Sequence, residues 1–145
     1  MTSQLNVDTI VDKAGSGGTN VKIANTSVTV AEGGSATTNT AQGLSKCWWT
    51  LNGTGTIATR DSFNVSSFDD VATGTYDANF TNSMSDGNFS FVGTTGVASN
   101  TAYIFHYHTS QAPASGAVRF ATEISNNVTA QDQSYIHGMI HGDLA

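Results

Sequence analysis

Four histidines offer the chemistry this chain could perform most directly. His106 and His108 stand two apart in TAYIFHYHTS. On a β-strand that spacing projects both imidazoles from one face, beside Ile104. Imidazole suits Zn, Ni and Fe ions. Three chains around a shared axis would present a ring of such pairs to one ion. The same pair on a plain surface or interface would only hydrogen-bond to Thr and Asn neighbours. His137 and His141 lie in YIHGMIHGDLA and share strand parity with Met139. Their spacing suits a metal on a strand less well. No other cofactor is expected.

Aromatic residues are the second group. Tyr103, Phe105 and Tyr107 line one face of a strand, where they could bind sugars, anchor an interface or form sheet core. Trp48 and Trp49 are adjacent, so they must point to opposite faces. One belongs in the core and the other meets solvent or a neighbouring subunit. These five residues are the expected recognition or interface set. Loops 94–100, 110–116 and 126–132 are further candidates, because loops vary while a scaffold holds them.

Catalytic constellations are not legible. Cleavage of a glycan needs two carboxylates flanking a sugar cleft. Asp69, Asp70 and Asp86 fall instead at expected turns, where Asp bonds its own backbone. No Ser-His-Asp or Cys-His set can be placed from residue order. No Gly-rich phosphate loop precedes a helix. The expectation is a protein that is not an enzyme. The single cysteine, Cys47, cannot form an intrachain disulfide and reads as a small buried hydrophobe beside Trp48.

The elements that must position these residues are strands. Charged residues make up 11% of the chain, less than half the usual share of about 25%. Thr, Ser, Asn and Gly replace them, a composition that suits sheets and disfavours helices. From residue 46 onward, short alternating runs are broken by Asn52-Gly53, by 69–74 and by Ser85-Asp86-Gly87. Strands are expected near 46–51, 55–60, 62–67, 75–80, 88–93, 101–109, 117–125 and 133–141. Their number and spacing predict an antiparallel β-sandwich. Val118, Phe120, Thr122 and Ile124 should face inward, as should Phe89 and Phe91.

Residues 1–45 differ. They contain no aromatic residue, and their apolar positions (Leu5, Val7, Ile10, Val21, Ile23, then Val28 and Val30) are sparse. Burying each yields about 1.5–3 kcal/mol. Ordering each residue costs about 1–2 kcal/mol in backbone entropy. Such an arm should be ordered by other chains, with a Gly/Ser/Thr-rich joint at 31–45. The expected division is an arm and joint at 1–45 and a head at 46–145.

Charge and hydropathy exclude several classes. The net charge is −6 with five Lys and Arg, so no basic stripe exists for nucleic acid or for an anionic membrane. No apolar run approaches the roughly 20 residues of a membrane span. The start, MTSQLNVDTIVDK, shows no basic leader before an apolar stretch, so no secretion signal is expected.

The segment Lys46 to Gly93, KCWWTLNGTGTIATRDSFNVSSFDDVATGTYDANFTNSMSDGNFSFVG, resembles a domain repeated across tailed-bacteriophage tail-fibre and other virion-appendage proteins. Arms with a Val-Asp-Thr-Ile step and a Gly-rich break are similar to attachment or shaft segments that accompany that domain. The resemblance implies a homotrimer with a jelly-roll-like head on the exterior of a virion. It implies a structural appendage held to tail or capsid proteins by Leu5, Val7, Ile10, Val21 and Ile23. The head would meet the host surface, with surface glycan as a candidate ligand. A capsid head fibre or decoration protein is the alternative, and a glycan-degrading tailspike-type enzyme a remote one.

Overall fold

The computed structural model describes residues 28–30, 37–39, 43–96 and 101–143. Leu5, Val7, Ile10, Val21 and Ile23 lie outside the described residues, as do 97–100 of one expected loop. The chain divides into two units, 1–41 and 42–145, so the boundary falls inside the joint expected at 31–45. In the first unit, β1 (Val28–Val30) pairs antiparallel with β2 (Thr37–Asn39).

The second unit is all-β, with two antiparallel sheets and no helix among the described residues. Its strands are β3 (Cys47–Asn52), β4 (Ala58–Phe63), β5 (Val65–Ala72), β6 (Thr75–Phe80), β7 (Ser90–Gly96), β8 (Tyr103–Tyr107), β9 (Ala117–Ile124), β10 (Thr129–Ala130) and β11 (Tyr135–His141). One sheet runs β4-β3-β11-β7. The other runs β5-β6-β9, with β8 and the short β10 also paired to β9.

Alternation explains which faces meet. In β3, Cys47, Trp49 and Leu51 are buried. In β11, Ile136, Gly138 and Ile140 are buried, while Tyr135, His137 and Met139 are exposed. From the other sheet, Tyr76, Ala78, Val118, Phe120 and Thr122 are buried, and Phe68 packs against them. The layers touch through rings. Trp49 lies 5.3 Å from Phe120 and 5.8 Å from Phe68 between centroids. Phe91 lies 5.0 Å from Phe105. The result is a sandwich-like packing across one aromatic core.

Two glycines make room for this core. Gly138 and Gly93 pair directly, and Gly138 also pairs with Trp49. A Cβ on Gly138 would collide with the Trp49 indole, and one on Gly93 with the Phe105 ring. The sheets join at a one-residue corner, Asn64, with φ 59° between β4 and β5. Its side-chain amide donates to the carbonyls of Lys46 and Asn82, both at 3.0 Å. Its Oδ1 accepts the Asn82 N–H at 2.7 Å. Asn tolerates the left-handed region better than other non-glycine residues.

Several expectations need correction. The β3–β4 connection is not a two-residue Asn-Gly turn; it takes residues 53–57. The Gly53 N–H is drawn away to the Gln133 carbonyl at 2.8 Å. Asp69 and Asp70 are strand residues of β5, and the turn contracts to Thr73-Gly74, where Gly74 has φ 65°. Strand β8 stops at Tyr107, so His108 lies beyond it. Residues 94–96 belong to β7, and 129–130 form β10. Ala121, expected to face outward, is as buried as its neighbours.

Gly138→Ala should lower stability by about 1–3 kcal/mol, because the added methyl overpacks against a rigid indole. Gly96→Ala, which meets nothing within 4 Å, should stay within about 0.5 kcal/mol of the parent. Urea titration of both variants measures the difference.

Candidate functional site

The exposed face of the β4-β3-β11-β7 sheet carries the most organised surface among the described residues. Register places Phe63 opposite Trp48, Trp48 opposite Met139, and Met139 opposite Val92. An apolar row thus crosses all four strands. Phe63 is 51% exposed, Met139 41% and Val92 57%. Such side chains singly are ordinary, but a contiguous exposed row makes this face the candidate site.

A second row runs alongside: Asp61, Thr50, His137 and Thr94 are also direct cross-strand partners. Between the rows lies a groove of about 420 Å³. One wall is Trp48, Met139 and Val92, and the other is Thr50, His137 and Thr94. Trp49, Gly138 and Gly93 contribute the strand positions between them.

The polar wall is braced. His137 Nδ1 lies 3.1 Å from Thr50 Oγ1. The His137 ring stacks on Tyr135 at 6.5 Å with 14° between planes. The Arg60 guanidinium lies over the Tyr135 ring, 4.6 Å from its centroid, and donates to the Ser134 carbonyl at 3.1 Å. Thr95 Oγ1 donates to the Tyr135 carbonyl at 3.2 Å. Three flat groups in sequence restrict one another's rotamers, and the contact of Arg60 with Tyr135 adds a cation–π attraction.

The face of the other sheet has different chemistry. Arg119 donates through Nε and Nη2 to both carboxylate oxygens of Asp77, each at 2.7 Å. Asn79 donates to Asp69 at 2.8 Å. This surface is already paired with itself. A second depression, about 330 Å³, is polar and lined by Asp86, Asn88, His141 and Asp143. There the Asn88 backbone N–H and side-chain amide hold the Asp86 carboxyl below the usual carboxylate range.

The expected site residues distribute as follows. Trp48 faces outward and lines the groove, whereas Trp49 is 1% exposed and belongs to the core, not to a recognition surface. Phe105 is half-buried and packs against Phe91 and Phe120 at the edge of the core. Tyr107 is exposed at the end of β8, and Tyr103 is half-buried. His106 Nδ1 lies 2.9 Å from the Tyr107 carbonyl. Its Nε2 is 3.4 Å from Glu123 Oε2, within ion-pair range but not aligned as a hydrogen bond. His108 Nδ1 instead meets Ser110 Oγ at 2.8 Å. Within one chain the two imidazoles therefore have separate partners. Among the described residues no group of three or more His, Cys, Asp or Glu is placed to hold a metal ion.

Sequence reasoning missed Phe63, Val92, Thr50 and Arg60, and it placed Thr94 in a loop rather than on a strand. A signal existed in the parity of each strand: Thr50 shares a face with Trp48, and Thr94 with Val92. Which strands lie side by side was the missing information.

Two buried acids should make the fold labile in alkali. Burial pushes the Cys47 thiol from its ordinary 9.0 up to about 12. Burial, and then the Asp132 carboxylate that accepts the Tyr76 hydroxyl at 2.7 Å, pushes Tyr76 above its ordinary 10.0. Both groups are neutral in the folded state and ionise more easily unfolded. Their stabilisation is complete below the unfolded values and is lost as pH climbs through the folded ones. The urea midpoint should hold to about pH 8 and fall steadily above pH 9. Cys47→Ala should flatten the part of that fall between pH 9 and 12, and the native thiol should resist Ellman's reagent at pH 8 until urea unfolds the chain.

Comparison with protein-family models, with curated proteins and with solved structures finds no match for this chain.

Proposed function

We propose that this chain is a non-enzymatic adhesive module, a virion structural appendage of the tail-fibre type that meets a host surface with the outer face of its β4-β3-β11-β7 sheet. The observation that carries the proposal is the apolar row Phe63, Trp48, Met139 and Val92 beside the braced polar row on that face. The phage-appendage identity comes from the resemblance of Lys46 to Gly93. A jelly-roll-like head is part of the same proposal, supported by the pairing of its last strand, β11, with its first, β3.

Size helps choose among occupants. Four strands and seven residues give a footprint of about 450 Å². A stable protein–protein interface needs about 800 Å² on each partner. The face suits a small ligand, or a weak contact repeated many times. Three heads on one trimer would multiply weak binding through effective concentration. The trimer and the anchoring arm of residues 1–45 are proposed with it, because so sparse an arm gains order from neighbouring chains.

Trp48→Ala should cut particle or recombinant-protein binding to host cells by about tenfold while the thermal melt stays within a few degrees. Removal of residues 1–45 should leave a folded head that no longer joins the particle, read by circular dichroism and co-sedimentation. Unchanged adhesion by Trp48→Ala, with loss of particle robustness when the protein is absent, would make it a capsid decoration protein instead.

A further inference from the structure

Resting on the adhesive function above, we propose that the groove between the rows Trp48–Met139–Val92 and Thr50–His137–Thr94 binds the rings of a neutral pyranose oligosaccharide. A pyranose has a face of C–H groups and a rim of hydroxyls. The groove offers the same division across its width, an apolar wall facing a hydrogen-bonding one. Trp48 is the platform for the C–H face, because an indole gives a large apolar area at little entropic cost. The Thr50 and Thr94 hydroxyls and His137 address the rim. His137 spends Nδ1 on Thr50 Oγ1, which leaves Nε2 to the ligand.

Three features narrow the ligand class. At about 420 Å³ the groove lies within the usual range for small-molecule clefts. Its two walls stand two residues apart along each strand, about 7 Å, whereas a helix with its side chains measures about 10–12 Å across. Its lining carries no Asp, Glu, Lys or Arg. A charged sugar would lose water there without gaining an ionic partner. The chain's net charge of −6 further disfavours an acidic glycan. The polar wall is also set before a ligand arrives. Arg60 stacks on Tyr135, Tyr135 on His137, and His137 bonds to Thr50. Groups held in advance lose less freedom on binding. Arg60 and Tyr135 are thus positioning residues, outside the groove lining, that act through His137.

The test uses the full-length protein and a panel of soluble sugars: glucose, galactose and N-acetylglucosamine, their β-linked disaccharides and trisaccharides, and glucuronic and sialic acids. Binding is followed by tryptophan fluorescence and by amide and indole NMR shifts. At least one neutral oligosaccharide should bind with a dissociation constant of about 1 mM. It should shift Trp48, Thr50, Thr94 and His137 and leave Arg119 and Asp77 unmoved. Trp48→Ala should weaken binding at least about tenfold. Thr50→Val, which keeps the shape and removes the hydroxyl, should weaken it by up to about tenfold. Tyr135→Ala should weaken it less and broaden the His137 resonances, the signature of a positioning role.

No saturable shift at about 50 mM of any neutral sugar overturns the proposal, since such weak binding lies outside the expected range. Preference for the acidic sugars overturns it too. So does self-association of the parent that Trp48→Ala abolishes, which would make this face an interface between copies. Host-cell adhesion measured alongside separates the two levels. Loss of adhesion in Trp48→Ala without sugar binding keeps the adhesive face and rejects the sugar. Sugar binding with adhesion unaffected keeps the groove and rejects the adhesive function.

Discussion

The contact on which the rest of this structure depends is the Trp49 indole packed directly against Gly138. An indole needs space that a twisted four-stranded sheet rarely leaves beneath its own neighbours. Here the neighbour has no Cβ, and the next strand, at Gly93, has none either. Trp49 fills the first gap and Phe105, reaching over from the other sheet, fills the second. Phe120 and Phe91 close around them. Loss of a buried aromatic ring costs about 3–5 kcal/mol in general. That is a large part of the stability of a domain of this size.

The same contact orders the outer surface. Side chains on a strand alternate, so a tryptophan seated inward at 49 forces Trp48 outward. Pairing of β3 with β11 and of β11 with β7 then places Met139 and Val92 beside Trp48, and His137 and Thr94 beside Thr50. A slip of one residue in either pairing would bury His137 and expose Ile136. Core packing therefore protects the register of the groove. Mutations beneath the sheet would reach the groove through that register, without touching any residue that lines it.

The two outer faces divide the work. On the β5-β6-β9-β8 side, Asp77 and Arg119 satisfy each other, and Asn79 occupies Asp69. Groups already paired have little to offer a ligand. On the opposite face the polar groups brace one another in a chain from Arg60 to Thr50, while the apolar row beside them has no cover within the described residues of this unit. Exposed apolar surface costs free energy in water, so the adhesive role proposed for this face rests on that row.

Much of the fold was legible in residue order, because alternation and turn chemistry are local. β6 appears at the expected 75–80, β9 and β11 within a residue or two, and the opposed faces of Trp48 and Trp49 follow from strand geometry alone. Cys47 as a buried hydrophobe is of the same kind. Turns were misplaced where a distant partner outbid the local preference: Gln133 takes the Gly53 N–H, and the Asp69-Asp70 step is drawn into β5 by its pairing with β6. Tyr103, Phe105 and Tyr107 share parity as expected, yet only the packing of β8 over Phe91 and Phe120 half-buried Phe105 against the core and left Tyr107 exposed. Trp48, His137 and the segment holding Thr94 were singled out separately, but the groove that joins them could not be read. Its walls come from β3, β7 and β11, which are neighbours only after the chain has folded. Parity along a strand is set by the backbone and written in the sequence. The order of strands in a sheet is set by which buried faces fit together, and that was decided where Trp49 met Gly138.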